Sequence, residues 1–190
     1  MGGAEDGFLG WRLLDHRRHG FSQEGQALGG GGAAMQQGEA RDFDDRPFCR
    51  FRPAELNDLG QILEFDEFAG DRQREIELGH CYVAHVDAEV IGYVSVEPRG
   101  LLGQAFLTYL CVPKKHRGKG VATGLIRVVQ GRAVGRKLLS STEQWCVQMQ
   151  HIFGKLGWTR VGEIRGVNRD GSTEWFYAYD IPVRDSNPGA

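Results

Sequence analysis

No paired-cysteine motif occurs in this chain. Its four cysteines, Cys49, Cys81, Cys111 and Cys146, are widely spaced, form no C-x-x-C and have no histidine at zinc-finger distance. That spacing excludes a disulfide scaffold and a zinc finger, and predicts free thiols in a reducing cytoplasm. His80, His85, His116 and His151 lack metal-ligand spacing as well. No apolar run approaches the roughly 20 residues of a membrane span, and the first residues lack the charged-then-apolar order of a signal peptide. Charge of one sign is missing too: 23 Lys and Arg stand against 25 Asp and Glu, a formal net charge of −2. A general nucleic-acid binder is usually basic, so neither nucleic acid nor membrane is expected as a partner. The expectation is a soluble, cytoplasmic protein.

The 190 residues suffice for one domain with a sizeable core. Residues 1–47 differ from the rest, for eleven of the first 40 are glycine, including Gly29 to Gly32, and Phe8, Leu9, Trp11, Leu13 and Leu14 form one short apolar cluster. Such a stretch buries too little to offset its ordering entropy and is expected to be a flexible extension. The globular pattern occupies residues 48–183, and 184–190 are a tail.

Within it, Cys49 to Arg52 alternates as a strand, and Leu59, Ile62, Leu63 and Phe65 mark one face of a helix capped near Asn57 or Asp58. A second helix is predicted over Asp71 to Leu78, then a hairpin, Cys81 to Val86 and Val90 to Val96, and a strand from Gln104 to Val112. Val121, Leu125, Val128, Val129 and Ala133 recur at helical spacing. Lys137 to Ser141 is a strand expected to pair parallel with the one ending at Val112. A helix through Val147 to Leu156 ends at Gly157, and strands Trp158 to Ile164 and Thr173 to Ile181 follow.

The organising stretch is Pro113-Lys114-Lys115-His116-Arg117-Gly118-Lys119-Gly120-Val121-Ala122, a basic glycine-punctuated loop between strand and helix. The first N–H groups of a helix have no internal partner and sit at the positive end of its dipole, so they bind phosphate. Gly118 and Gly120 lack the Cβ that keeps an anion from those amides, and Arg117 and Lys119 add charge. No third glycine completes a dinucleotide fingerprint, and no Walker lysine is followed by Ser or Thr.

Leu110-Cys111-Val112-Pro113 followed by Arg117-Gly118-Lys119-Gly120-Val121-Ala122 resembles the acetyl-CoA pyrophosphate loop of the GCN5-related N-acetyltransferase superfamily. Lys115 stands where that pattern has Gln or Arg. Phe51-Arg52-Pro53-Ala54 with Asp58-Leu59 resembles the family's opening, and Phe153-Gly154-Lys155-Leu156-Gly157-Trp158 its helix before the last hairpin. The resemblance runs from about Phe48 to Pro182.

It implies an α+β fold with a mixed, mostly antiparallel six- to seven-stranded sheet flanked by helices, as in acyl-CoA N-acyltransferases. It also implies transfer of acetyl from acetyl-CoA, without a metal, to a primary amine on a small molecule or peptide. A homodimer is left open. Cofactor contacts are implied for Leu110, Cys111, Val112, Lys115, Arg117, Gly118, Lys119, Gly120, Val121, Ala122, Cys146 and Phe153. The Leu110 main-chain N–H would stabilise the oxyanion.

The family's thiolate-protonating tyrosine is replaced by Phe153, and an asparagine that often contacts the cofactor by Cys146. The base positions are filled by Phe106 and Thr108. Glu97, at a strand end, is the candidate remote base, against a plain role in solvating its turn. Glu64, Asp66, Glu67 and Asp71 beside Phe65 and Phe68 either receive a cationic amine or form an ordinary charged face. Tyr109 faces the acceptor or the core. Ser140, Ser141 and Thr142 bond cofactor or acceptor, or cap the next helix, and Cys146 at a helix start is a thiol whose pKa could be lowered. Two alternatives stand beside the transferase: an acetyl-CoA or CoA sensor without turnover, and a nucleic-acid-associated protein using Lys114, Lys115, Arg117 and Lys119.

Overall fold

The computed structural model describes residues 49–183. Phe48, the extension expected over residues 1–47 and the tail 184–190 lie outside the described residues.

Seven strands form one sheet: β1 (Arg50–Pro53), β2 (Cys81–Val86), β3 (Glu89–Glu97), β4 (Ala105–Cys111), β5 (Lys137–Glu143), β6 (Thr159–Ile164) and β7 (Glu174–Asp180). Their spatial order is β1-β2-β3-β4-β5-β7-β6. All neighbours are antiparallel except β4 and β5, which run parallel because a helix crosses between them. This is the mixed, mostly antiparallel sheet that the resemblance implied.

Helices cover both faces. On one, α3 (Val121–Arg132) and α4 (Val147–Lys155) enclose an apolar core with Leu107, Leu110, Leu138, Trp158 and Tyr177. On the other, α1 (Leu59–Leu63) and α2 (Arg72–Glu77) pack against Cys81, Val83, Tyr93 and Cys111. Burial in these apolar surroundings pushes the Cys81 and Cys111 thiols up to about 12. β6 is an exposed edge whose Arg160 lies 3.8 Å over the Trp175 ring and pairs with Glu163, charge that discourages further strand addition.

Several expectations change in detail. Leu63 points to solvent, and of the first helical face only Ile62 is fully buried. Asp58 precedes α1 without capping it, because its carboxylate takes Arg52 at 2.6 and 2.8 Å and the Glu55 N–H at 2.8 Å. Ile126 joins Val121, Leu125 and Val129 in the buried stripe of α3, while Val128 sits at its margin. Ser140, Ser141 and Thr142 lie inside β5, which runs on to Glu143, so none caps α4. Ser140 Oγ donates to the Leu107 carbonyl at 3.0 Å, stitching β5 to β4.

α3 reaches the sheet closely only because Gly92 and Gly124 are bare. A Cβ at Gly92 would stand 3.1 Å from both the Cys111 carbonyl oxygen and Val121 Cγ1, and one at Gly124 only 2.1 Å from the Phe51 ring. The expected outcome for Gly124→Ala is therefore a stability loss of about 1–3 kcal/mol from overpacking. Urea unfolding measures it. Phe51→Ala combined with Gly124→Ala should cost less than the two single losses added, since trimming the ring removes the clash.

Candidate active site

The parallel pair β4 and β5 separates almost at once. Only Ala105 with Leu138 and Phe106 with Leu139 are in register, although β4 continues to Cys111 and β5 to Glu143. Past that point the strands border a gap, closed at Phe106 and open toward the glycine loop.

At the open end the chain makes a short 3-10 turn over Lys114–His116, then passes through Gly118 (φ 75°) and Gly120 (φ 85°) into α3. Both glycines are left-handed, and a Cβ on either would project into empty space. The first bond closing onto the helix is Gly124 N–H to the Gly120 carbonyl at 2.9 Å. Among the described residues, the N–H groups of Gly118 through Thr123 have no protein acceptor. Several unpaired amides thus converge at the positive end of a 12-residue helix. This arrangement is an anion cradle.

A cleft of about 310 Å³ joins cradle and gap. Of the residues implied as cofactor contacts, it is lined by Leu110, Cys111, Val112, Arg117, Gly118, Gly120, Val121 and Ala122. Arg117 is aimed by its Nε, which donates to the Val112 carbonyl at 2.7 Å. Its other side is α4, from which Gln148, Met149, Ile152 and Lys155 reach the cleft. Sequence reasoning assigned no role to these four; the one available signal was the i, i+4 and i, i+7 spacing from Gln148, which sets a polar-rimmed stripe beside the loop.

The other implied contacts are elsewhere. Lys115 Nζ turns away to Glu89 at 2.5 Å, and Lys119 is exposed and outside the cleft lining. Cys146 is 4 % exposed within the apolar core, and burial raises its thiol pKa rather than lowering it. Phe153 is fully buried, its ring 4.9 Å from both Trp158 and Tyr177. Glu97 pairs in register with Phe106 on β3, one strand removed from the gap. Its carboxylate is half exposed, 4.0 Å from His80 and accepting from the Arg99 N–H, which is the turn-solvating role.

On the α1–α2 face the expected acidic patch is divided among separate jobs. Asp71 caps α2 by accepting from the Arg74 N–H at 3.0 Å, Glu67 lies 3.8 Å from Arg117, and Glu64 is exposed. Asp66 is buried against Arg72 Nε at 2.9 Å and accepts from the Tyr93 hydroxyl. Arg72, only 1 % exposed, also donates to Glu75 at 2.5 Å, and Glu75 accepts from Ser95. Burial works against the Arg72 charge, but Tyr93, Glu75 and Asp66 outweigh it and its pKa is raised. The guanidinium covers the Tyr109 ring at 4.1 Å, and Phe68 stacks on that ring at 5.3 Å. Tyr109 therefore belongs to this half-buried aromatic stack, one position beyond Thr108 on the gap-bordering strand.

A family model described as the acetyltransferase (GNAT) domain matches residues 77–178, more than half of the chain. The chain belongs to the GNAT acetyltransferase family. Solved structures share the fold at low identity. The chain is similar to a GNAT-family acetyltransferase from Bacillus cereus, at TM-score 0.64 and 22 % identity over 71 % of this chain and 99 % of that one. An N-acetyltransferase from Staphylococcus aureus is similar at TM-score 0.61 and 18 % identity, over 71 % and 99 %. So is yncA of Salmonella typhimurium, solved with its cofactor acetyl-CoA, at TM-score 0.59 and 15 % identity over 75 % and 99 %. Comparison with curated protein sequences gives no match.

In this GNAT domain the positions implied for proton transfer hold groups without a useful proton. Phe153 is core, Phe106 is buried, and the Thr108 hydroxyl donates to the Phe106 carbonyl at 3.2 Å. Among the described residues, no helix is long and apolar enough to cross a membrane, and no cluster of His, Cys, Asp and Glu is suited to a metal.

The polar network under α2 generates a stability test. Arg72→Met leaves Asp66 buried and Glu75 partly buried without their cation, which should cost about 3–5 kcal/mol at neutral pH. Denaturant titration of the two proteins at neutral pH measures it.

Proposed function

We propose that this protein is an acetyl-CoA-dependent N-acetyltransferase that acetylates a primary amine by direct attack within a ternary complex. The observation that carries the reading is the row of unpaired amides from Gly118 to Thr123 at the mouth of the β4–β5 gap. Acetyl-CoA supplies an activated thioester carbonyl. The protein contributes the rest. Amides 118–123 and the Arg117 charge hold the diphosphate. The gap-bordering backbone at Leu110 and Val112 is the proposed seat of the pantetheine arm, and Met149 and Ile152 give it an apolar wall. The Leu110 N–H is the proposed oxyanion donor, and such donors contribute about 3–4 kcal/mol to an acyl-transfer barrier. No acid is required in the α4 position, because a thiolate as stable as that of CoA leaves unaided.

Phe153 favours a second reading, a module that binds acetyl-CoA or CoA without turnover. The nucleic-acid alternative loses support, because Lys115 is engaged by Glu89 and Arg117 by Val112 and Glu67.

Calorimetry with acetyl-CoA is expected to show one site per chain, unaffected by RNA or DNA. Gly120→Trp should abolish that binding while the protein stays folded; undiminished affinity in this variant overturns the placement of the diphosphate. Release of CoA thiol with a panel of primary amines is expected to exceed the uncatalysed rate for at least one. A flat response across the panel, with binding intact, favours the sensor.

A further inference from the structure

Register places a second polar group at the gap, on the side opposite the cleft. In β5 and β7, Leu139 stands opposite Ala178, Ser141 opposite Phe176 and Glu143 opposite Glu174. Leu139, Ala178, Phe176 and Phe106 pack together on the α1–α2 face. The two-residue period of a strand carries Ser141, Glu143 and Glu174 along that same face. β4 has already parted from β5 at this level. Ser141 and Glu143 therefore stand on the rim of the gap, Glu174 directly behind them, and Tyr109 with Phe68 on the other rim.

Glu174 is only 2 % exposed, yet half of its carboxylate is unsatisfied. Oε2 accepts from Asn168 Nδ2 at 3.0 Å; among the described residues Oε1 meets no donor at hydrogen-bonding geometry, although the Ser141 hydroxyl on β5 lies close enough to favour the charged form. The β6–β7 loop is built to hold this arrangement: Asn168 Nδ2 also donates to Ser172 Oγ at 3.1 Å, and Asp170 fixes the Ser172 N–H at 2.9 Å. The charged neighbour that bears on it is anionic, Asp170 from the loop, and among the described residues no Lys, Arg or His is shown paired with Glu174. An unpaired buried carboxylate oxygen costs free energy unless something binds there. Such an oxygen is satisfied by a proton of its own or by a donor on a ligand, and an ammonium group is a donor of that kind.

We infer that Glu174 is the acceptor-side base of this enzyme: its Oε1 receives the ammonium group of the incoming amine at the gap and takes one of its protons. The inference rests on the transferase reading above. In the step, Glu174 takes a proton from R–NH3+, and the freed lone pair forms the C–N bond at the thioester carbonyl. The C–S bond breaks with its electron pair going to sulfur, the second nitrogen proton goes to that thiolate, and Glu174 returns its own proton to solvent. The products are the amide and CoA thiol. The Tyr109–Phe68 ring pair offers an aromatic wall that suits a cation. The substrate class is then an amine that is charged at neutral pH.

Burial drives the Glu174 carboxyl above its ordinary range, with Asp170 adding to the rise. Folding therefore takes up a proton there. The stability this contributes is full below the ordinary glutamate pKa and is lost as pH rises through the raised folded value. Glu174→Gln, which can still accept from Asn168, should accordingly be at least as stable as the parent at pH 7.

The test compares the full chain with E174Q, using benzylamine, which is an ammonium at neutral pH, and methoxyamine, which is not. Acetyl-CoA affinity by calorimetry should be equal in the two proteins. With benzylamine, kcat/KM at pH 7 should fall about 100-fold or more in E174Q and recover as the pH rises toward that amine's own pKa. With methoxyamine the two proteins should differ little. Carbon-13 NMR of glutamate carboxyls should also show one elevated titration, absent from E174Q and displaced to lower pH by benzylammonium; E174D serves for assignment should E174Q not fold. Equal losses with both amines, or a Glu174 titration indifferent to benzylammonium, overturn the inference. Failure of acetyl-CoA to bind either protein overturns the transferase reading instead, and the NMR response still decides whether Glu174 receives a cation.

Discussion

Two parallel strands that stop pairing after Phe106 and Leu139 are the constraint on which the rest of the molecule depends. A parallel pair normally satisfies its inner N–H and C=O groups along its whole length. Here β4 and β5 continue for several residues past the last shared register, so their facing backbone groups are left to a ligand or to solvent. Ser140, reaching the Leu107 carbonyl, is the last stitch before the opening. Everything that defines the cleft is attached to one of these two strands: the glycine loop and α3 follow β4, and α4 follows β5.

The two faces of the sheet are stabilised differently, and the difference matches what each must hold. The α3–α4 face is apolar, with Phe153, Trp158 and Tyr177 stacked beneath it. A close-packed apolar layer keeps α3 at a fixed height above the sheet, and hence its N-terminal amides at a fixed distance from the gap. The α1–α2 face carries Arg72 between Asp66 and Glu75, with Tyr93, Ser95 and Tyr109 tied in. Directional hydrogen bonds hold the short helices α1 and α2, which have too little apolar surface to be fixed by packing alone. Tyr109 takes its orientation from that network and brings it to the border of the gap.

Order and type of the elements were legible from Cys49 to Ile181, because strand alternation and helix spacing are local properties. The glycine loop was legible for the same reason: Gly118 and Gly120 need left-handed backbone where a strand passes into a helix. What depends on three-dimensional neighbours was not. Lys115 reads in the sequence as a phosphate ligand, and its ion pair with Glu89, 26 residues earlier in the chain, has no local signal. Ser140 to Thr142 looked like a helix cap because nothing local tells a buried strand end from a loop. Cys146 and Phe153 were assigned by their place in a motif, and their burial follows from packing against Trp158 and Tyr177. Arg72, one of several charged residues in a short helix, gave no sign that it would be the most deeply buried cation described.

The loss of proton-transfer groups at Phe106, Thr108 and Phe153 is less damaging than it looks, because the two protons of the reaction differ in difficulty. A CoA thiolate tolerates its charge in water, so a donor beside the sulfur is a convenience. An ammonium near neutral pH holds its proton by several pKa units, and that proton must leave before nitrogen can attack. The chain keeps no carboxylate at the implied β4 positions, yet it places a buried one, Glu174, behind Ser141 on the far rim of the same gap. In the proposed role Glu174 acts past the small side chain of Ser141 on β5, while Asn168 holds its other oxygen. With that role proposed for Glu174, β4 serves the gap as an apolar and aromatic border, and the proposed acceptor-side charge sits one strand beyond it.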